Sequence, residues 1–185
     1  MQYLRLVPPV QSPRAARDAC VEAFDQELDY LFQTLRRLGA PASEIEDLAQ
    51  DVFVVLHRNW PTLDTDRPLR PYLFGVAFRI VCAQGRRRRR GREGNSSLPD
   101  IEDGAASPER ALESRQSIAL LLGALERVPL PRRAVVILHE LDGVPVADIA
   151  KSLSITRFAV YARLRKGRSE LAAGVRWLQQ SGVRK

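Results

Sequence analysis

The stretch VADIAKSLSITRFAVYARLRK, residues 146–166, decides the fold. Its apolar residues recur at helical spacing on either side of a short break at Ser154-Ile155. A helix-turn-helix needs a small residue where its helices cross, apolar residues holding both, and a tight turn. Ala150 stands at the crossing, with Ile149 and Leu153 directed inward. Ile155 plugs the turn, and Thr156 is placed to cap the last long helix. At about 100° per residue, Val160, Leu164, Gly167 and Leu171 share one arc of that helix. The opposite arc displays Phe158, Tyr161, Ala162, Arg165 and Lys166. Such a mixture of aromatic, small and basic groups can enter a major groove and meet base edges and phosphates. Arg157 and Arg168 flank it, positioned for phosphates. A plain basic surface on a helical hairpin would share the charge, but not the coincidence of turn, cap and crossing alanine.

Working outward, the pattern stays helical, with no alternating run for a strand. Helices are predicted from about Ala111 to Arg127, with Ile118, Leu121, Leu122 and Leu125 on one face, and from Pro131 to Leu141, stopping at Asp142-Gly143. Before them, GREGNSSLPDIEDGAASP, residues 91–108, has no apolar period and reads as a linker. At that length its free ends would average roughly 25 Å apart, enough to separate two domains.

The N-terminal block has its own helices. Apolar residues from Cys20 to Leu38 predict one continuous helix stopped by Gly39. Ser43 and Glu46 form an S-x-x-E capping box opening a helix to about His57. Ile45, Leu48, Ala49, Val52, Val55 and Leu56 fill its inner arc, while Asp47, Gln50, Asp51 and Val54 lie together outside. A valine among acids suggests a docked partner protein, although isolated surface valines are common. Trp60 to Arg70 reads as a loop, and Pro71 suits the first turn of the next helix. There Leu73, Val76, Ala77 and Ile80 point inward, and Tyr72, Arg79 and Arg86 recur every seven residues as one stripe. An aromatic followed by arginines suits nucleic acid with exposed bases. The bland alternative is a core aromatic beside solvated arginines.

The fold class expected is therefore all-α, two small helical domains joined by a flexible linker. The divisions are an N-terminal extension 1–19, a first domain 20–90, a linker 91–110, a helix-turn-helix domain 111–176 and a tail 177–185. Trp177 in that tail is expected to add a packing contact.

Composition bounds the function. The net charge of +7 predicts a polyanionic partner, and the arginine run 86–90 would also suit an acidic membrane surface. The helix-turn-helix favours nucleic acid. No run approaches the roughly 20 apolar residues of a membrane helix, and residues 1–19 lack a signal-peptide core, so a cytoplasmic location without membrane insertion is expected. Cys20 and Cys82 stand apart without ligand-spaced partners, so neither zinc nor a disulfide is expected. There is no P-loop, GxGxxG or nucleophile elbow, and His57 and His139 lie in separate blocks. Neither an enzyme nor a cofactor is expected.

Taken together, EIEDLAQDVFVVLHRNW (44–60), RPYLFGVAF (70–78) with the arginine cluster, SPERALE (107–113) and residues 125–171 resemble the extracytoplasmic-function (ECF) group of sigma-70-type sigma factors. The resemblance covers roughly Cys20 to Arg176. It implies a non-catalytic protein that keeps two domains, binds core RNA polymerase and promoter DNA, and is commonly held inactive by an anti-sigma factor. It assigns polymerase docking to Asp47, Gln50, Asp51 and Val54. The melted element near the start site falls to Trp60, Tyr72, Arg79 and Arg86. The upstream duplex falls to Arg157, Phe158, Tyr161, Ala162, Arg165, Lys166 and Arg168. Tyr72 stands where the family often has tryptophan, and Arg79 where asparagine is frequent; Ala83 and Gly85 replace an acid and a leucine. Phe158 replaces a common glycine and Tyr161 a common basic residue. These departures leave both the promoter sequence and the melting ability open. A helix-turn-helix regulator that never touches polymerase fits the C-terminal block equally well; the N-terminal faces discriminate.

Overall fold

A computed structural model of the chain describes residues 13–91 and 108–182. Within these, eight α-helices follow one another: α1 Pro13–Gln26, α2 Leu28–Leu38, α3 Ile45–Asn59, α4 Leu69–Gly91, α5 Pro108–Glu126, α6 Leu130–Val136, α7 Val146–Ser152 and α8 Arg157–Gly182. Among the described residues there is no strand, as expected. Residues 92–107, which hold most of the expected linker, lie outside the described residues, as does most of the segment read as an extension.

Local chemistry explains the boundaries. Gly39 ends α2 at φ 89°, its N–H donating to the Arg36 carbonyl. The Ala40 N–H donates to the Leu35 carbonyl at 3.0 Å, so the last turn leaves few orphan acceptors. The continuous helix expected from Cys20 to Leu38 is broken at Glu27. Its carboxylate accepts from Arg70 Nε at 2.7 Å, while Phe24 packs on Phe53 with ring centroids 5.0 Å apart. Spacing missed the break because both pieces keep their apolar residues on one side.

The capping box at Ser43 and Glu46 is not formed. A 3-10 turn, Ala42–Glu44, precedes α3, and Glu44 stands at the cap position without a side-chain cap bond. Ser43 is thus already inside a helical turn. The Glu44 carboxylate is instead taken by Gln84 and Arg88 of α4. The inner arc of α3 behaves as read: Ile45, Leu48, Ala49, Val52 and Leu56 are buried, with Val55 packed against them.

On α4, Leu73, Val76 and Ala77 are buried, and so are Phe74 and Gly75, which the inward set had omitted. In the C-terminal half, α6 continues through a five-residue π-helical turn, Ile137–Leu141, to the stop at Asp142-Gly143. Ile118 of α5, placed on one face with Leu125, is exposed, whereas Leu125 is fully buried.

The halves also pack against each other, α2 meeting α5 and α6, and α4 meeting α7. Arg133, only 8% exposed, joins them. Its guanidinium donates to the carbonyls of Leu38 (2.8 Å), Val128 (3.1 Å) and Glu126 (2.7 Å). Those carbonyls lie at or just beyond the ends of α2 and α5, where the helix dipole is negative, so they hold a buried cation with no carboxylate bonded to it. Burial pulls the Arg133 pKa down from its ordinary value.

Candidate nucleic-acid interface

The helix-turn-helix is built as its residues dictate. Ile149, Ala150 and Leu153 are buried, and the Ile155 N–H donates to the Ala150 carbonyl at 2.9 Å. Ser154 takes φ 54°, the left-handed conformation that lets the chain turn tightly. The Thr156 hydroxyl accepts from the Ala159 N–H at 3.1 Å, the expected cap. Val160, Leu164 and Gly167 are buried against the rest of the half. A methyl group at Gly167 would stand 2.6 Å from Val136 Cγ2, so glycine allows α8 to approach α6.

The opposite face of α8 is left to solvent. Phe158, Tyr161, Ala162, Arg165 and Lys166 are all exposed, as is Arg157. Phe158 is 83% exposed and Tyr161 60%. The first turn of α8 carries no acidic residue. Arg168 is exposed but already paired: its Nε donates to Glu140 Oε1 at 2.7 Å. That bond, more than any other influence, holds the Glu140 carboxyl below its ordinary pKa.

A second surface lies on α3. Asp47, Gln50, Asp51 and Val54 are brought together and exposed, Val54 at 55%. An apolar side chain ringed by acids offers a protein partner both contact area and charge.

These two faces sit within two matched regions. Residues 23–91 match the family model described as Sigma-70 region 2, and residues 112–171 that of Sigma-70, region 4. The RNA polymerase sigma factor NccH of Alcaligenes xylosoxydans xylosoxydans is 30% identical over 148 residues, 77% of this chain and 79% of that one. The chain belongs to the sigma-70-type sigma factors, in their ECF group.

Other relatives of this sigma factor agree. The ECF sigma factor SigW of Bacillus subtilis is 23% identical over 175 residues, covering 90% of this chain and 94% of its own. Among solved structures, CnrH in complex with the cytosolic domain of CnrY aligns with TM-score 0.56 at 22% identity, over 85% of this chain and 95% of that one. RpoE in complex with the anti-sigma factor NepR from Bartonella quintana aligns with TM-score 0.63 at 20% identity, over 84% and 98%. These likenesses show the shared helical fold.

The third set of predicted residues is partly enclosed in this sigma factor. Trp60 opens a 3-10 turn, Trp60–Thr62, and packs partly against the core. Tyr72 is half-buried and lines a cleft of about 980 Å³ between the halves, with Tyr30, Arg37, Asp142 and Ser152. Arg79 Nη1 donates to the Ser152 carbonyl at the end of α7, 3.3 Å away. Arg86 is exposed. A period of seven aligned the stripe, but it could not reveal that Arg79, though exposed, is bonded to the end of a helix some 70 residues onward.

Sequence reasoning missed the residues that hold the halves together: Arg133, Tyr30, Asp142 and Gly75. The available signals were weak, a buried arginine in an apolar helix and a glycine inside α4. His57 and His139 are half-buried and widely separated in sequence, and among the described residues no cluster of His, Cys, Asp and Glu could hold a metal ion. No described helix is long and apolar enough to cross a membrane.

Proposed function

We propose that this sigma factor docks on core RNA polymerase through Asp47, Gln50, Asp51 and Val54 and directs it to promoters. The α8 face formed by Phe158, Tyr161, Ala162, Arg165 and Lys166, with Arg157 and Arg168 on phosphates, reads the upstream element as duplex. Trp60, Tyr72, Arg79 and Arg86 serve the melted element near the start site. The observation that carries this reading is one chain presenting an exposed acidic–apolar face on α3 and an exposed basic–aromatic face on α8.

Physical reasons support two contact points. Each half alone would bind weakly, and tethering both to polymerase raises the effective concentration of each for its element. Phosphate contacts from the α8 arginines would weaken steeply with salt, since each neutralised phosphate releases counterions. Arg79 would have to leave the Ser152 carbonyl to meet a single strand.

The protein acts in the cytoplasm, where its polymerase is, and performs no catalysis of its own. An anti-sigma protein is the expected inhibitor, in keeping with two structural neighbours being complexes, one with the cytosolic domain of CnrY and one with the anti-sigma factor NepR. Co-migration with purified core polymerase, followed by promoter-selective binding of the complex, tests the reading. A chain that binds specific duplex but never core would defeat it.

A further inference from the structure

Phe158 is the most exposed large apolar side chain among the described residues, at 83%, and it lies in the first turn of the reading helix. It has no hydrogen-bonding group, so it cannot read the donors and acceptors of a base pair. Its neighbours on the same arc define the setting. Tyr161 lies one turn on and Ala162 beside it, followed by Arg165, all exposed. Ala162 is short enough to let the helix axis approach the floor of a groove. Arg157, Arg165 and Lys166 make the rim positive, and the first turn adds no carboxylate.

A helix about 10–12 Å across fills a major groove about 12 Å wide. In that position a ring meets base edges, because the base faces are stacked and out of reach. Along those edges of unmodified DNA, the one apolar group is the thymine C5 methyl.

We propose that Phe158 is a specificity-determining residue that packs on a thymine methyl of the upstream element, with Tyr161 on the adjoining step. Successive positions at i and i+3 rise about 4.5 Å along the helix, between one and two of the roughly 3.4 Å steps of a duplex. The element is therefore set at these positions by A·T pairs in one orientation, the methyl marking which strand carries thymine. Arg165 and Lys166 read the base pairs beyond them. This rests on the duplex-reading role of α8 given above.

The test uses the full-length protein with core polymerase and a promoter it selects. Each thymine of the upstream element is replaced singly by deoxyuridine, which removes the methyl and nothing else. One or two positions should lose about four-fold in affinity, the change expected for burying one methyl-sized group. In Phe158→Ala that loss should vanish at the position under the ring, and Phe158→Leu should keep part of it. Both variants alter a solvent-exposed side chain and leave the fold intact. If every deoxyuridine is neutral, or if Phe158→Ala keeps the full methyl effect, the proposal is overturned. Replacing the whole upstream element separates the two levels. A large loss there with neutral deoxyuridines overturns the thymine contact alone. No loss overturns the reading role of α8 and the thymine contact with it.

Discussion

Tyr30 donates its hydroxyl to the Asp142 carboxylate at 2.8 Å, across 112 residues of sequence, and Arg37 approaches the same carboxylate at 3.3 Å. The Tyr30 ring lies under the Arg70 guanidinium, 5.0 Å from its centroid. Asp142 closes α6, and Tyr30 lies on α2, so this small network ties the N-terminal half to the half that bears the helix-turn-helix.

Burial, opposed by Tyr30, Arg37 and Arg70, leaves the Asp142 carboxyl above its ordinary pKa. A group raised on folding binds its proton more tightly in the folded chain. Its contribution is complete below the unfolded value of about 4 and is lost as pH rises through the folded value. The stability of the native chain relative to Asp142→Asn should therefore fall as pH is raised from about 4. Paired urea titrations across that range check it. A difference that grows with pH would mean that Arg37 and Tyr30 outweigh burial.

Gly75 sets how closely α4 and α7 meet. A methyl there would stand 2.4 Å from the Ser152 carbonyl oxygen, which also accepts from Arg79. Alanine is intrinsically better than glycine inside a helix by about 1 kcal/mol, so α4 itself is not weakened by the change. Gly75→Ala should loosen α7 selectively, seen as faster amide exchange in α7 with α3 unchanged. Equal protection of α7 in the variant contradicts the contact as described.

Arg133 satisfies three carbonyls from a largely buried position. Arg133→Met keeps bulk but strands those acceptors, and should cost about 3 kcal/mol of unfolding free energy. Arg133→Lys, with one compact ammonium, should recover only part. A loss under about 0.5 kcal/mol, the range of ordinary surface substitutions, would show that water replaces the guanidinium freely.

Charge reversal at Asp51 tests the docking face. The side chain is exposed on α3, so Asp51→Arg should leave the helical content and melting temperature unchanged. Affinity for core polymerase should drop by about 100-fold or more, since a misplaced charge in an interface costs several kcal/mol. Wild-type affinity in a native binding assay sinks this face.

Much of the fold was legible because it is local. The Ser154 turn, the Thr156 cap, the crossing Ala150 and the inner arc of α3 each depend on residues within about a turn or two of one another. The exposed faces of α3 and α8 followed from those arcs. The features that sequence could not show depend on distant partners. Glu44 is drawn to Gln84 and Arg88 instead of yielding to a Ser43 cap. Glu27 breaks a helix and meets Arg70. Arg79 lies on the predicted stripe, yet its guanidinium is held by Ser152. Trp177 did find a packing partner, Arg127, whose guanidinium lies 3.7 Å above its ring.

Run-off transcription with purified core polymerase and a promoter library, with and without this protein, distinguishes a sigma factor that docks and directs polymerase from a plain duplex-binding regulator. Transcripts should appear only with the protein and share two elements at fixed spacing, one of them bound as duplex by α8. Specific duplex binding with no co-migration with core and no stimulated transcript would contradict the docking role.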